Sequence, residues 1–184
     1  MTGNALTIAA ATSSALGVVQ PSTGLQINAG LLTLKVPVFL AYSTVVTTLQ
    51  GSSGPNLVTF NTAYIDTSSC FNTSTSQYKP NVAGYYEFSA NVMLTNANYN
   101  QTLVTHIQKN ANTGYYVGTT GAGLMNSAIG WITSSSSSCT TLIYMNGSSD
   151  YVSVYAMSTS AGIVTNIGDG TSFSTRFQGK LISL

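Results

Sequence analysis

The sequence predicts an all-β fold, a sandwich or barrel of antiparallel strands, and three observations predict it. Apolar and polar residues alternate with a period of two in stretch after stretch, as they do in a strand with one buried face. Turn signals rich in Gly, Asn, Ser and Pro separate these stretches at intervals of 8–15 residues, the spacing of a sandwich or barrel. Charged residues make up only 5% of the 184, against roughly 25% in an average soluble domain. Ser, Thr, Asn and Gln must then cover the surface, which suits pleated sheets, where Thr, Tyr and Val are favoured and Lys and Glu depleted. No stretch shows a convincing helical period.

The chain falls into two parts, 1–35 and 36–184. In the first, short apolar pieces (Leu6–Ala10, Leu16–Val19, Leu25–Ile27, Leu31–Leu34) are broken by Ser, Thr, Gly and Pro. Mini-strands this short cannot form a sheet alone, so the segment gains a core by packing on something else, identical neighbouring chains being the simplest candidate. A linker is the plainer alternative, since Pro21 and Gly24 also suit a loop.

The second part reads as strand after strand. "VPVFLAYSTVVTTL" is apolar and β-branched, and "LVTFNTAYI" sets Val58, Phe60, Thr62 and Tyr64 on one side. In "YYEFSANVML", Tyr86, Phe88, Ala90, Val92 and Leu94 point one way, and Tyr85, Glu87, Ser89, Asn91 and Met93 the other. Pro80 and Gly84 punctuate the approach and fix which face goes inward. "TLVTHIQKN" sets Leu103, Thr105 and Ile107 against Val104, His106 and Gln108; "DYVSVYAM" sets Val152, Val154 and Ala156 against Tyr151, Ser153, Tyr155 and Met157. "GYYVGTTG", "AIGWITSSSSSCTTLIYM" and the closing "TSFSTRFQGKLISL" complete the series, with the serine run 134–138 open between a loop and a polar strand.

Several function classes are disfavoured. A net charge of +1, with Lys35, Lys79, Lys109, Arg176 and Lys180 scattered, gives no electrostatic footprint for nucleic acid. No apolar run reaches the roughly 18 residues of a membrane span, so no membrane insertion is expected. "MTGNALTIAAATSS" has neither a positive n-region nor a sustained apolar block, so no secretory signal is expected there. Cys70 and Cys139 leave a disulfide and two small buried hydrophobes both open. His106, the lone histidine, sits mid-strand without an acidic or nucleophilic neighbour, and reads as facing solvent or a subunit interface. The carboxylates are Asp66, Glu87, Asp150 and Asp169, too few for an obvious acid–base pair. No catalytic residue is therefore assigned, and an enzyme is not expected. Asp150 and Asp169 lie in loops where Ca²⁺ could bind, with turn capping the plainer role. The sequons at Asn72, Asn100 and Asn146 match by chance in a chain so rich in Asn, Ser and Thr.

The second part resembles the globular domain shared by complement C1q and the tumour necrosis factor superfamily. That family runs an aromatic, Asp or Asn, a turn, an aromatic, Pro, Gly and an aromatic-x-aromatic strand; Phe71, Asn72, Tyr78, Pro80, Gly84, Tyr86 and Phe88 fill those places. "VTFN" at 58–61 resembles its Phe-Asn/Asp strand, "QKN" at 108–110 its Lys-Asn-Gly hairpin, and "FQGKL", with Phe177, Gly179 and Leu181, its closing strand. Ser76 and Ala111 depart from it, standing where the family has Gly, and "GSSD" at 147–150 stretches its Gly-Asp. The resemblance implies a ten-stranded jelly roll assembling as a homotrimer, with leftover apolar strand surface buried around the axis.

"ATSSALGVVQPSTGLQINAGLLTL" resembles the repeats of phage tail-fibre shafts, and nothing in it resembles the glycine-every-third stem of collagen. Together the two resemblances imply a non-enzymatic trimeric virion fibre. Its N-terminus would join other virion proteins, and its head would attach to a host-surface glycan or protein. A secreted C1q-like recognition or signalling module and a glycan-cleaving tailspike are the alternatives. Tyr99, Tyr115, Tyr116 and Trp131, in or near expected loops, are the candidate recognition residues, because exposed aromatics stack on sugar faces and anchor protein contacts.

Overall fold

Alternation becomes pairing in the computed structural model, which describes residues 25–28, 31–34, 36–50, 54–95, 101–111, 121–125, 134–158, 164–167 and 173–184. The chain divides into two units, Met1–Lys35 and Val36–Leu184. In the first, β1 (Leu25–Asn28) and β2 (Leu31–Leu34) form an antiparallel hairpin with Leu25 opposite Leu34 and Asn28 opposite Leu31. These strands cover two of the four expected apolar pieces; Leu6–Ala10 and Leu16–Val19 lie outside the described residues.

The second unit is all β among its described residues: β3 (Val38–Tyr42), β4 (Thr47–Gln50), β5 (Asn56–Leu57), β6 (Thr62–Asp66), β7 (Phe71–Asn72), β8 (Gln77–Tyr78), β9 (Ala83–Thr95), β10 (Gln101–Lys109), β11 (Gly121–Met125), β12 (Ser134–Asn146), β13 (Val152–Ser158), β14 (Val164–Ile167) and β15 (Arg176–Ser183). Ten of these are four residues or longer, and β5, β7 and β8 are two-residue bridges. Among the described residues no helix is long and apolar enough to cross a membrane.

Two antiparallel sheets make a jelly-roll sandwich. In the larger, β9 pairs with β12 along its full length on one side. On its other side it pairs with β15, then come β3 and β6, while β14 and β4 extend the sheet beyond the end of β15. The smaller sheet runs β11-β10-β13-β8-β7, with β5 added on β13. The serine run 134–138 is a strand, its backbone paired to β9 from Ser134 opposite Thr95 to Ser138 opposite Asn91.

The Phe71–Leu94 block supplies the middle of the core. Tyr86, Phe88, Ala90, Val92 and Leu94 are essentially buried, and their alternate neighbours face out. Phe39 of β3 stacks on Tyr78 at a centroid distance of 4.0 Å and meets Phe177 edge-on at 4.9 Å, with Phe71 stacked at 5.5 Å. Gly179 makes room for these rings: a Cβ there would come within 2.5 Å of Phe88 Cδ1 and 2.7 Å of Phe39 Cε1. Gly84, at φ +152°, lets the start of β9 pass the C-terminal strand, where a Cβ would strike the Ser183 carbonyl oxygen.

Three expectations change. "LVTFNTAYI" is not one strand: β5 belongs to the smaller sheet and β6 to the larger, and the chain crosses between them at 58–61. Asn61 fixes that crossing by accepting Thr44 N at 2.8 Å and donating to Thr44 Oγ1. Val58 and Phe60 are buried, but Tyr64, expected beside them, is 65% exposed. His106 does not face solvent. It is buried together with Gln108, although both alternate with the buried Leu103, Thr105 and Ile107, so β10 is covered on both faces. Burial lowers the His106 pKa, which keeps the ring neutral near pH 7. Finally, Ser76 and Ala111, at the places where the resemblance has glycine, themselves adopt left-handed backbone, at φ 54° and 48°. Ser76 serves there because its hydroxyl accepts Phe60 N at 2.9 Å, a bond glycine cannot make.

Candidate interaction surface

The inward rows of β3, β9, β12 and β15 fill the core, so their outward rows make one continuous face of the larger sheet. At one end of it, Tyr85 and Tyr144 are direct cross-strand partners, with rings 5.3 Å apart at 63°. Tyr85 is 48% exposed, Tyr144 49%, Leu142 58% and Ile182 51%. Ile182 lies at the irregularity where β15 shifts register against β9. Four large apolar side chains on neighbouring strands make a patch of a kind that monomers seldom leave in water.

Toward the middle of the face, Lys180 and Glu87 are cross-strand partners joined at 3.2 Å, both about half exposed. Such a pair adds little stability in water; its effect is to keep an apolar face electrically neutral. Beside it lies a shallow depression of about 210 Å³ lined by Val38, Leu40, Ile65, Ser89, Gln178 and Lys180. Thr140 Oγ1 donates to Ser89 Oγ at 3.1 Å across β12 and β9.

The described carboxylates are engaged in local structure. Asp66 accepts Ser68 N and Phe71 N, which closes the turn before β7. Asp150 accepts Lys109 Nζ at 2.7 Å, Asn110 Nδ2 at 2.8 Å and Asn146 N at 2.9 Å. The end of β10 is thereby locked to the β12–β13 hairpin. An ammonium already faces Asp150, so the capping role is the one seen, not an open Ca²⁺ position. Asp169 lies outside the described residues. Among the described residues no group of three or more His, Cys, Asp or Glu could hold a metal ion. Cys70 and Cys139 do not form a disulfide; Cys139 is buried, and Cys70 Sγ donates to the Ser68 carbonyl at 3.2 Å.

Burial raises the Asp150 pKa, but hydrogen bonds from Lys109, Asn110 and Asn146 outweigh it and hold the carboxyl below its ordinary value. A depressed folded pKa contributes stability above the unfolded value, about 3.9, and loses it as pH falls through the folded one. Asp150→Asn should therefore cost about 1.5–3 kcal/mol at pH 7, the scale of a hydrogen bond to a charged group. That deficit should shrink below about pH 4. Urea midpoints for both proteins at pH 7 and pH 3 check this; a deficit of equal size at both would sink it.

Tyr99, Tyr115, Tyr116 and Trp131, the residues expected to bind a ligand, lie outside the described residues. The exposed aromatics that the structure does place, Tyr64, Tyr85, Tyr144 and Phe173, lie on the larger sheet and in the turn that leads into β15. Tyr85 could be read as outward from the alternation of β9, whereas its partner Tyr144 emerges only from strand register.

No protein-family model and no curated protein sequence matches the chain. Solved structures do. The globular domain of zebrafish complement 1qA protein is similar at a TM-score of 0.52 and 16% identity, covering 79% of this chain and 97% of that one. Murine APRIL is similar at 0.53 and 11%, covering 80% and 100%. At such identities the likeness is one of fold, and the fold is C1q/TNF-like.

Proposed function

We propose that the chain is a non-enzymatic recognition module that works as a homotrimer, each copy covering part of its neighbour's larger sheet. The observation that carries this is the outward patch of Tyr85, Leu142, Tyr144 and Ile182, each about half exposed in the single chain. Burying it among three copies removes greasy surface from water without asking the thin sandwich to hide it. Three heads on one assembly then bind a repetitive surface more tightly than one head can. Tyr99, Tyr115, Tyr116 and Trp131 are proposed ligand contacts. Likeness in fold to a C1q globular domain supports a secreted recognition or signalling role, with a receptor or glycan as partner.

The narrower form of this reading is a virion fibre, with residues 1–35 as a shaft anchored in other virion proteins and the head turned to a host surface. The β1–β2 hairpin favours it, because its leucine-rich strands are too short to stand alone and gain stability by stacking on copies of themselves. Deleting residues 1–35 should lower the trimer's melting temperature if they form such a shaft, and leave it unchanged if they are a linker. The non-enzymatic part is tested by incubating the protein with polysaccharides that it binds. Chain lengths should stay constant, and shortened products would revive a glycan-cleaving tailspike.

A further inference from the structure

We propose that the larger sheet carries, at the end away from the Tyr85–Tyr144 patch, a binding site for a carboxylate-bearing sugar, built from Tyr42, Tyr64, Phe173 and Arg176. The proposal deepens the recognition reading and rests on it.

The ring geometry comes first. Phe173 packs on Tyr42 at 4.4 Å and 45°, and meets Tyr64 edge-on at 5.3 Å and 81°. Tyr64 is 65% and Phe173 42% exposed. Two accessible rings near a right angle make a corner, with one ring face to take the apolar C–H face of a pyranose and a second wall to fix its orientation.

The charge comes second. Arg176 is the direct cross-strand partner of Tyr42 on β3 and of Asn91 on β9, so its side chain rises from the same row of the sheet. Its Nη1 donates to the Phe173 carbonyl at 3.2 Å, which ties the guanidinium to the ring corner. Among the described residues no carboxylate pairs with it. Asp66 is taken by two backbone amides, Glu87 by Lys180 and Asp150 by Lys109. A guanidinium with no counter-charge among the described residues, beside open rings, complements a planar carboxylate that it can grip with two parallel hydrogen bonds. Gln178, exposed two residues along β15, adds a neutral amide for sugar hydroxyls.

A hexuronate or sialic acid residue presents this combination: one carboxylate, one apolar ring face and hydroxyls around it. A second copy of the chain is the competing occupant. Arg176 and Ile182 are six residues apart on β15, or ~20 Å at 3.3 Å per residue. The corner is thus set well away from the patch assigned to assembly.

The test titrates the full chain with trigalacturonate, trisialate and neutral maltotriose, followed by saturation-transfer NMR, with native mass recorded alongside. At least one acidic trisaccharide should bind, and maltotriose at least about tenfold more weakly, the scale of one charge-assisted hydrogen bond. Arg176→Gln should erase that preference, and Tyr64→Ala, at an exposed position, should weaken binding about tenfold. Equal binding of acidic and neutral sugars, or binding indifferent to both substitutions, would overturn the proposal. So would a loss of oligomeric mass in either variant, which would give the corner to a second copy. A trimer that binds no sugar sinks this site and spares the assembly, whereas a monomer that binds acidic sugar does the reverse.

Discussion

Phe39→Ala should lower the unfolding free energy of the Val36–Leu184 unit by about 3–5 kcal/mol, the range for truncating a fully buried Phe. Phe39 is 1% exposed and touches rings from four other places in the chain: Phe71, Tyr78, Phe88 and Phe177. It also joins the sheets, since it stands on β3 of the larger one and stacks on Tyr78 of β8 in the smaller. The cavity left by alanine cannot collapse, because Gly179 already brings Phe39 and Phe88 against the β15 backbone. Urea unfolding at a fixed protein concentration, followed by near-UV circular dichroism, measures the loss. A change below about 1 kcal/mol would mean that these rings are not the centre of the core.

Tyr144→Glu should break the trimer while leaving the subunit folded. Tyr144 is half exposed in the single chain, so its replacement creates no internal cavity. In the assembly the same change would bury a carboxylate in each of three copies, and each buried ion costs several kcal/mol. Dissociation should strengthen by at least about a hundredfold. Sedimentation velocity should then show monomers with an unchanged far-ultraviolet spectrum. Lys79→Glu, an exposed change beside Pro80 outside the larger sheet, should leave the mass alone. A Tyr144→Glu protein that stays as large as the wild type would place the interface elsewhere.

What could be read from the chain was what depends on neighbours in sequence. The alternation from Tyr85 to Leu94 fixed the inward and outward rows of β9, and both stand in the structure. Tyr85 was legible as outward for that reason, but its pairing with Tyr144 is set by the register of β9 against β12, with β10 and β11 between them in sequence, and leaves no local trace. The crossing at 58–61 was hidden for a different reason. Val58 and Phe60 stay buried while the chain changes sheets, so the period of two runs on without a break. A single strand also says nothing of what lies on its second face, which is why His106 reads as accessible and is in fact covered. Ser76 shows the converse: a departure from glycine preserves the turn because its hydroxyl holds Phe60 N. The corner of Tyr42, Tyr64 and Phe173 joins three separate segments and could not be found from any one of them.

Mass under native conditions bears most directly on whether three copies share the outward sheet. At micromolar concentration in neutral buffer the particle should weigh three times the 19.2 kDa of one chain. A species of 19.2 kDa that stays single as the concentration rises would contradict the account, and leave Tyr85, Leu142, Tyr144 and Ile182 without their cover.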